Sequence, residues 1–183
     1  MTDLTSPRNA ECLLEGPNNE VGFAIAYRLK AHVDLREIAK QFPEGVVICS
    51  PNLIAGMTHV LDILTQAMEY WRRKEALARS KSMDLLMRIT CRAQISEAVA
   101  SSGISSTNSL ALFGIAGNKT EFEKSVKIVE SLGTAAERED KLLAMNKEKS
   151  LFLRKFHNLP KLLGEDQVVV ALKERSVLLI FAK

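Results

Sequence analysis

Val46-Val47-Ile48-Cys49-Ser50-Pro51, carried on past Gly56 into Met57, Val60, Leu61, Leu64, Ala67, Met68 and Trp71, is the stretch that decides the fold class. Four consecutive apolar residues, three of them β-branched, make a strand, and such a run is buried on both faces when the strand is central. Ser50-Pro51 then signals the start of a helix, because a serine hydroxyl caps free N–H groups and proline fits the first turn. Gly56 breaks that start, so the long helix begins near Met57, with its apolar residues recurring at helical spacing. It runs out in Arg72-Arg73-Lys74, where cations favour the negative end of the helix dipole. A buried strand feeding a long amphipathic helix makes this an α/β (α+β) protein.

Working outward toward the N-terminus, Glu11 to Glu15 and Val21 to Leu29 read as antiparallel strands joined across Gly16-Pro17-Asn18-Asn19. Val33-Asp34 opens a short helix through Lys40, with Leu35, Ile38 and Ala39 on one face. In the other direction, Ser82 to Thr90 is apolar on most sides and is expected to be buried. A helix from Gln94 to Ser102 turns Ile95, Ala98 and Val99 inward and ends at Gly103. Leu110 to Ala116 follows as a strand. Thr120 to Leu132 is an amphipathic helix, capped by Thr120 and Glu123 and ended by Gly133. Leu142 to Met145 reads as a strand, Lys147 to His157 and Glu165 to Lys173 as helices, and Val177 to Ala182 as a last strand.

The expected architecture is therefore one domain over residues 11–183. It has a small mixed or antiparallel sheet shared by the first and last strands, with one face covered by a helical layer from residues 51–103. Residues 1–10, rich in Thr, Asp, Ser, Pro and Asn, read as a flexible lead-in without the apolar region of a signal peptide. No apolar run approaches bilayer length, so no membrane contact is expected. Three cysteines, Cys12, Cys49 and Cys91, cannot all pair, which fits thiols in a reducing compartment: cytoplasmic, or also nuclear in a eukaryote. A formal charge of +3 permits contact with nucleic acid without announcing it. Aromatic residues at 5% argue against a sheet that stacks several bases.

Motifs for catalysis are missing from the sequence. There is no G-x-G-x-x-G, Walker loop, G-x-S-x-G or H-E-x-x-H, and the cysteines show no C-x-x-C spacing. A protein without cofactor, metal or catalytic centre is the expectation. The competing enzyme reading would use Cys91, its pKa lowered by Arg92, or His59. What remains is a basic stretch: Arg72, Arg73, Lys74, Arg79 and Lys81, then Arg88 and Arg92. Arg72 to Lys74 read as a solvated helix end. Arg79, Ser80 and Arg92 stand at helix ends, where N–H donors and guanidinium groups can share an anion. A second cluster, Arg154, Lys155, His157 and Lys161, reads as ordinary solvated surface.

Three blocks carry a family resemblance. They are Ser50-Pro51-Asn52-Leu53-Ile54-Ala55-Gly56-Met57-Thr58-His59-Val60-Leu61, Ala78-Arg79-Ser80-Lys81-Ser82-Met83-Asp84-Leu85-Leu86, and Thr90-Cys91-Arg92-Ala93-Gln94-Ile95-Ser96-Glu97-Ala98. In order and spacing the chain resembles the small kinase-binding accessory subunit of the KEOPS (EKC) complex, the family that includes the human PRPK-binding protein. The complex makes threonylcarbamoyladenosine in tRNA. The resemblance implies a non-catalytic α/β subunit that binds and activates the kinase-like ATPase subunit and helps recruit the single-stranded 3′ CCA end of tRNA. It places the tRNA tail at Arg79, Ser80, Asp84, Arg92, Gln94 and Ile95, with the two arginines on phosphates, and leaves the kinase interface unassigned. In the third block Cys91 stands where the family usually has glycine, and Ala93 where it has arginine. The alternative is a generic α/β interaction or homodimeric module that binds no nucleic acid.

Overall fold

The longest strand, Val21–Leu29 (β2), alternates side chains that are apolar on both faces, and every residue from Val21 to Tyr27 is buried. A strand of that kind needs cover on two sides, and the computed structural model, which describes residues 14–104 and 108–182, supplies it. β2 pairs antiparallel with Leu14–Glu15 (β1) at one end and with Ala136–Arg138 (β5) at the other. Along its opposite edge it pairs with Ser109–Ala116 (β4), Phe23 facing Gly114 and Tyr27 facing Leu110. Val46–Cys49 (β3) completes the sheet beside β4, in the order β1-β2-β4-β3. The fold is the expected α/β class with an antiparallel sheet.

Side chains leave the sheet in two sets, as a period of two requires. Ala24, Ala26, Val47, Cys49, Ala111 and Phe113 meet Met57–Arg73 (α2) and Lys81–Thr90 (α3) through Val60, Ile63, Leu64, Leu85 and Ile89. Phe23, Ile25, Tyr27, Ile48, Leu110 and Leu112 face the other way, onto Leu35–Ala39 (α1) and Lys119–Glu130 (α5). There Phe23 and Phe122 meet edge to face at 4.9 Å. Both faces are thus covered, not one. The expected layer from residues 51–103 makes the first cover, and α1 and α5 make the second.

The caps follow from sequence. Asp34 accepts the N–H groups of Arg36 and Glu37, and Ser50 caps the 3-10 turn Pro51–Leu53 ahead of α2. α5 is capped by Asn118, which accepts the N–H of Glu121, while Glu121 reaches back to the N–H of Gly117. The Thr120 and Glu123 pairing was two residues too late, and the helix ends at Glu130, before Gly133. β3 is an edge strand, yet all four residues are buried. Gly114 lets it approach β4 closely, since a Cβ there would lie 2.3 Å from the carbonyl oxygen of Gly45.

The sequence reading is corrected at three further places. Leu142 to Met145 is not a strand. Asp140–Leu143 is a 3-10 turn, and the strand is Ala136–Arg138 just before it. Asp140 explains the turn: its carboxylate accepts the N–H of Ala26 at 3.1 Å, replacing strand pairing with a side-chain bond. In Ile95–Ser101 (α4) Ala98 is buried, but Ile95 and Val99 are each 47% exposed, so that apolar face points outward.

The C-terminal strand is the largest correction. Glu165–Leu178 (α7) runs on as helix and finishes in a 3-10 turn, Leu179–Ala182. Nothing between Lys173 and Val177 breaks a helix, and Val168, Leu172, Ser176 and Leu179 are buried at helical intervals. Packing against α2 and Lys147–Phe156 (α6) therefore overrides the strand propensity of Val177 and Ile180. Lys173 pairs with Asp62 of α2, and Ser176 donates to Gln66 at 3.1 Å. No helix among the described residues is long and apolar enough to cross a membrane. The lead-in at residues 1–10, and Glu11, Cys12 and Leu13 of the first expected strand, lie outside the described residues.

Candidate nucleic-acid interface

α3 organises the candidate residues and also divides them. Ten residues of helix are about 15 Å long. Arg79 and Ser80 stand before its first turn, and Arg92, Gln94 and Ile95 follow its last. The six residues therefore form two separate groups with Asp84 between them.

At the N-terminal end the anion position is already filled from within. Ser80 caps the helix by accepting the N–H of Met83 at 3.3 Å, and its hydroxyl donates to Glu44 at 2.9 Å. The same Glu44 oxygen accepts the N–H of Ser82 at 3.2 Å. A carboxylate thus sits where a phosphate would bind, satisfying donors that a helix start leaves free. Arg79 is exposed beside it. Nearby, Arg72 and Arg73 both bind Glu69, at 2.7 and 2.6 Å, so the expected solvated helix end is a surface ion-pair cluster. Glu44 lies 36 residues from Ser80 in sequence, and no local pattern announces their contact.

Asp84 is fully buried. Its carboxylate accepts from Arg88 at 2.8 Å, the indole N–H of Trp71 at 3.1 Å and the backbone N–H of Leu77 at 2.5 Å. Arg88, also fully buried, lies with its guanidinium 4.9 Å from the Tyr70 ring. Instead of facing a tRNA tail, Asp84 orients Arg88 and fastens the connector between α2 and α3.

The C-terminal end of α3 is more open. Cys91 adopts φ +50, the left-handed conformation that ends a helix and that glycine adopts most easily. Arg92 then turns toward α6, donating to the carbonyl of Phe156 at 3.4 Å with its guanidinium 5.2 Å from that ring. Phe156 in turn stacks on Phe152, centroids 5.5 Å apart and planes at 22°. Gln94 is exposed at the start of α4 and makes no side-chain cap, and Ile95 beside it is exposed. Sequence reasoning missed Phe152 and Phe156, although their four-residue spacing places them together on any helix.

The second basic cluster is mostly structural. Arg154 donates to the carbonyls of Ser150 and Leu163, at 3.3 and 3.0 Å, bracing the turn between α6 and α7. His157 is buried and its carbonyl accepts from Arg175. Lys155 and Lys161 remain exposed.

Of the residues of the enzyme reading, His59 sits in the interior and Cys91 is half-buried. His59 is fully buried, its Nδ1 accepting the N–H of Ala55 at 3.1 Å. Burial pushes the thiols of Cys49 and Cys91 up to about 12, outweighing Lys149 near the first and Arg175 and Arg92 near the second. That is the reverse of the activation expected from Arg92. In a Cys12→Ser variant, a thiol reagent at pH 8 should leave Cys49 and Cys91 unmodified until denaturant is added. Rapid native modification of Cys91 would restore it as a nucleophile. Among the described residues no group of three His, Cys, Asp or Glu side chains is placed to hold a metal ion.

No protein-family model matches this sequence, and no curated protein matches it.

Proposed function

We propose that this chain is a kinase-binding accessory subunit of a KEOPS-type complex, acting by docking and not by catalysis. The observation that carries the docking role is where the large exposed apolar side chains lie. Six of the nine among the described residues, Leu151, Phe152, Leu162, Val170, Leu178 and Phe181, belong to α6, α7 and their flanks, with Leu162 97% and Phe181 81% exposed; Leu61, Ile95 and Val99 lie on α2 and α4. A concentration of that kind marks a protein contact surface more than the scattered apolar residues of an ordinary exterior. Val170, Leu178 and Phe181 share the outer side of α7 and its continuation, opposite the residues that pack on α2. We assign this ridge to the kinase-like ATPase.

The second role, recruitment of the tRNA 3′ CCA end, is supported by the open end of α3 with Arg92, Gln94 and Ile95. Arg79 and Ser80, with Glu44 across the helix start, would serve only if a phosphate displaced that carboxylate. The three sequence blocks fall on consecutive elements: the approach to α2, then α3, then the junction of α3 with α4.

Mixing with the KEOPS kinase at micromolar concentration and size-exclusion chromatography test the first role. Co-elution and faster ATP turnover are expected. Leu178→Glu and Phe181→Glu should weaken the complex at least roughly ten-fold, since each buries a charge in an apolar contact. Separate elution of the unaltered proteins at low and physiological salt would overturn the kinase reading. Self-association abolished by the same substitutions would favour the homodimeric module.

A further inference from the structure

Of the aromatic pair on α6, Phe156 packs against the edge of the core, whereas Phe152 does not. Phe152 belongs to none of the hydrophobic clusters and is 40% exposed, yet its ring orientation is fixed by stacking on Phe156. Phe156 is fixed in turn by Arg92, which lies over its ring and donates to its carbonyl. A chain of guanidinium, ring and ring, ending in an accessible aromatic face, is preorganised: little side-chain freedom remains to be lost on binding.

The charge around it selects the class of ligand. Between Asn146 and Gly164, Lys147, Lys155 and Lys161 are exposed against Glu148 alone, while Arg154 is held by backbone carbonyls and Lys149 is buried on the carbonyl of Leu142. A planar aromatic face on a segment with three exposed lysines meets the needs of an unpaired nucleotide, whose base stacks while its phosphates are attracted. An aliphatic peptide would use the exposed Leu151 without needing either the ring or the charge.

We infer that the Arg92–Phe156–Phe152 stack is a nucleobase platform, with the free face of Phe152 taking a base at a single-stranded RNA end. The inference rests on the tRNA-binding half of the proposed function and deepens it. It moves the base contact from the junction residues Gln94 and Ile95 to an aromatic residue on a different helix, and leaves Arg92 to hold the platform in place.

The test uses the full chain and two tRNA transcripts, one ending in CCA and one lacking those three nucleotides, followed by fluorescence anisotropy. Circular dichroism checks that each variant remains folded, which the exposure of Phe152 favours. Phe152→Ala should weaken the tailed tRNA by roughly ten-fold or more. Phe152→Leu should lose nearly as much, and Phe152→Tyr should keep the affinity. Placing 2-aminopurine at the terminal base should give fluorescence quenching on binding that Phe152→Leu removes. If the tailed tRNA binds better than the truncated one but Phe152→Ala changes neither, the platform is wrong and the tail reading stands. If both transcripts bind equally and both weaken with Phe152→Ala, the platform stands and the tail reading falls. Unchanged affinity with Phe152→Leu would show apolar docking and overturn the stacking role, while absence of RNA binding would remove both.

Discussion

Asp84→Ala should destabilise the protein by about 3–5 kcal/mol, the cost of leaving a buried charge without its partner. Asp84 and Arg88 are four residues apart on α3 and both are fully buried, so no water can replace the lost carboxylate. The same substitution strips the acceptor from the Trp71 indole and from the N–H of Leu77, two donors that would each be left unsatisfied. The comparison that separates charge from volume is a double substitution. Asp84→Ala with Arg88→Met should recover part of the loss, because an apolar pair avoids the unpaired guanidinium, although the two donors remain unpaired. Urea denaturation of the three proteins gives the result directly. A loss below about 1 kcal/mol for Asp84→Ala would show that the guanidinium finds another route to solvent.

That ion pair also shows where the sequence was legible and where it was not. The spacing of Asp84 and Arg88 is plain, and an acidic and a basic residue at i and i+4 on a helix ordinarily mark a solvated face. Here every neighbour from Leu85 to Thr90 is buried as well, so the pair lies inside an apolar helix. The strongly periodic α2 was readable because its apolar stripe and its polar face alternate cleanly. α7 was readable only as far as Lys173; its end was not, because Val177-Leu178-Leu179-Ile180 is a continuous apolar run, and such a run suits a strand and a buried helix alike. α4 failed for a different reason. Its length and its end at Gly103 were visible, but Ile95 and Val99 face solvent, and an apolar residue carries no mark of whether it meets the core or a partner. The candidate site depended on contacts far apart in sequence: Glu44 with Ser80, and Arg92 with Phe156. Local periodicity identifies the helix ends that hold these residues but not what has been folded against them.

Acid should loosen the protein well before its carboxylates protonate, and two histidines are the reason. His59 is fully buried and His157 is 4% exposed, and the Nε2 of each has no hydrogen-bond partner among the described residues. Burial lowers His59 to about 3, with the charges of His157, Lys173 and Lys149 adding to it. Burial likewise lowers His157 to about 4, helped by Arg175 and Arg92. Adding a proton to His59 would also cost its Nδ1 acceptance of the Ala55 N–H. In the unfolded chain both groups titrate near 6.5. Below that pH the unfolded state binds two protons that the folded state refuses, so this stability is complete above about 6.5 and is lost as pH falls toward 4 and then 3. At pH 5 each histidine has forfeited about 2 kcal/mol, about 4 kcal/mol together, with a limiting slope near 2.7 kcal/mol per pH unit. Against a total stability of roughly 5–15 kcal/mol for a domain, that brings the protein close to unfolding. Urea midpoints measured from pH 7.5 down to 5 should fall accordingly. His157→Gln should roughly halve the slope, because an amide fills the site without titrating. A flat profile over that range would mean that both imidazoles accept a proton inside the fold.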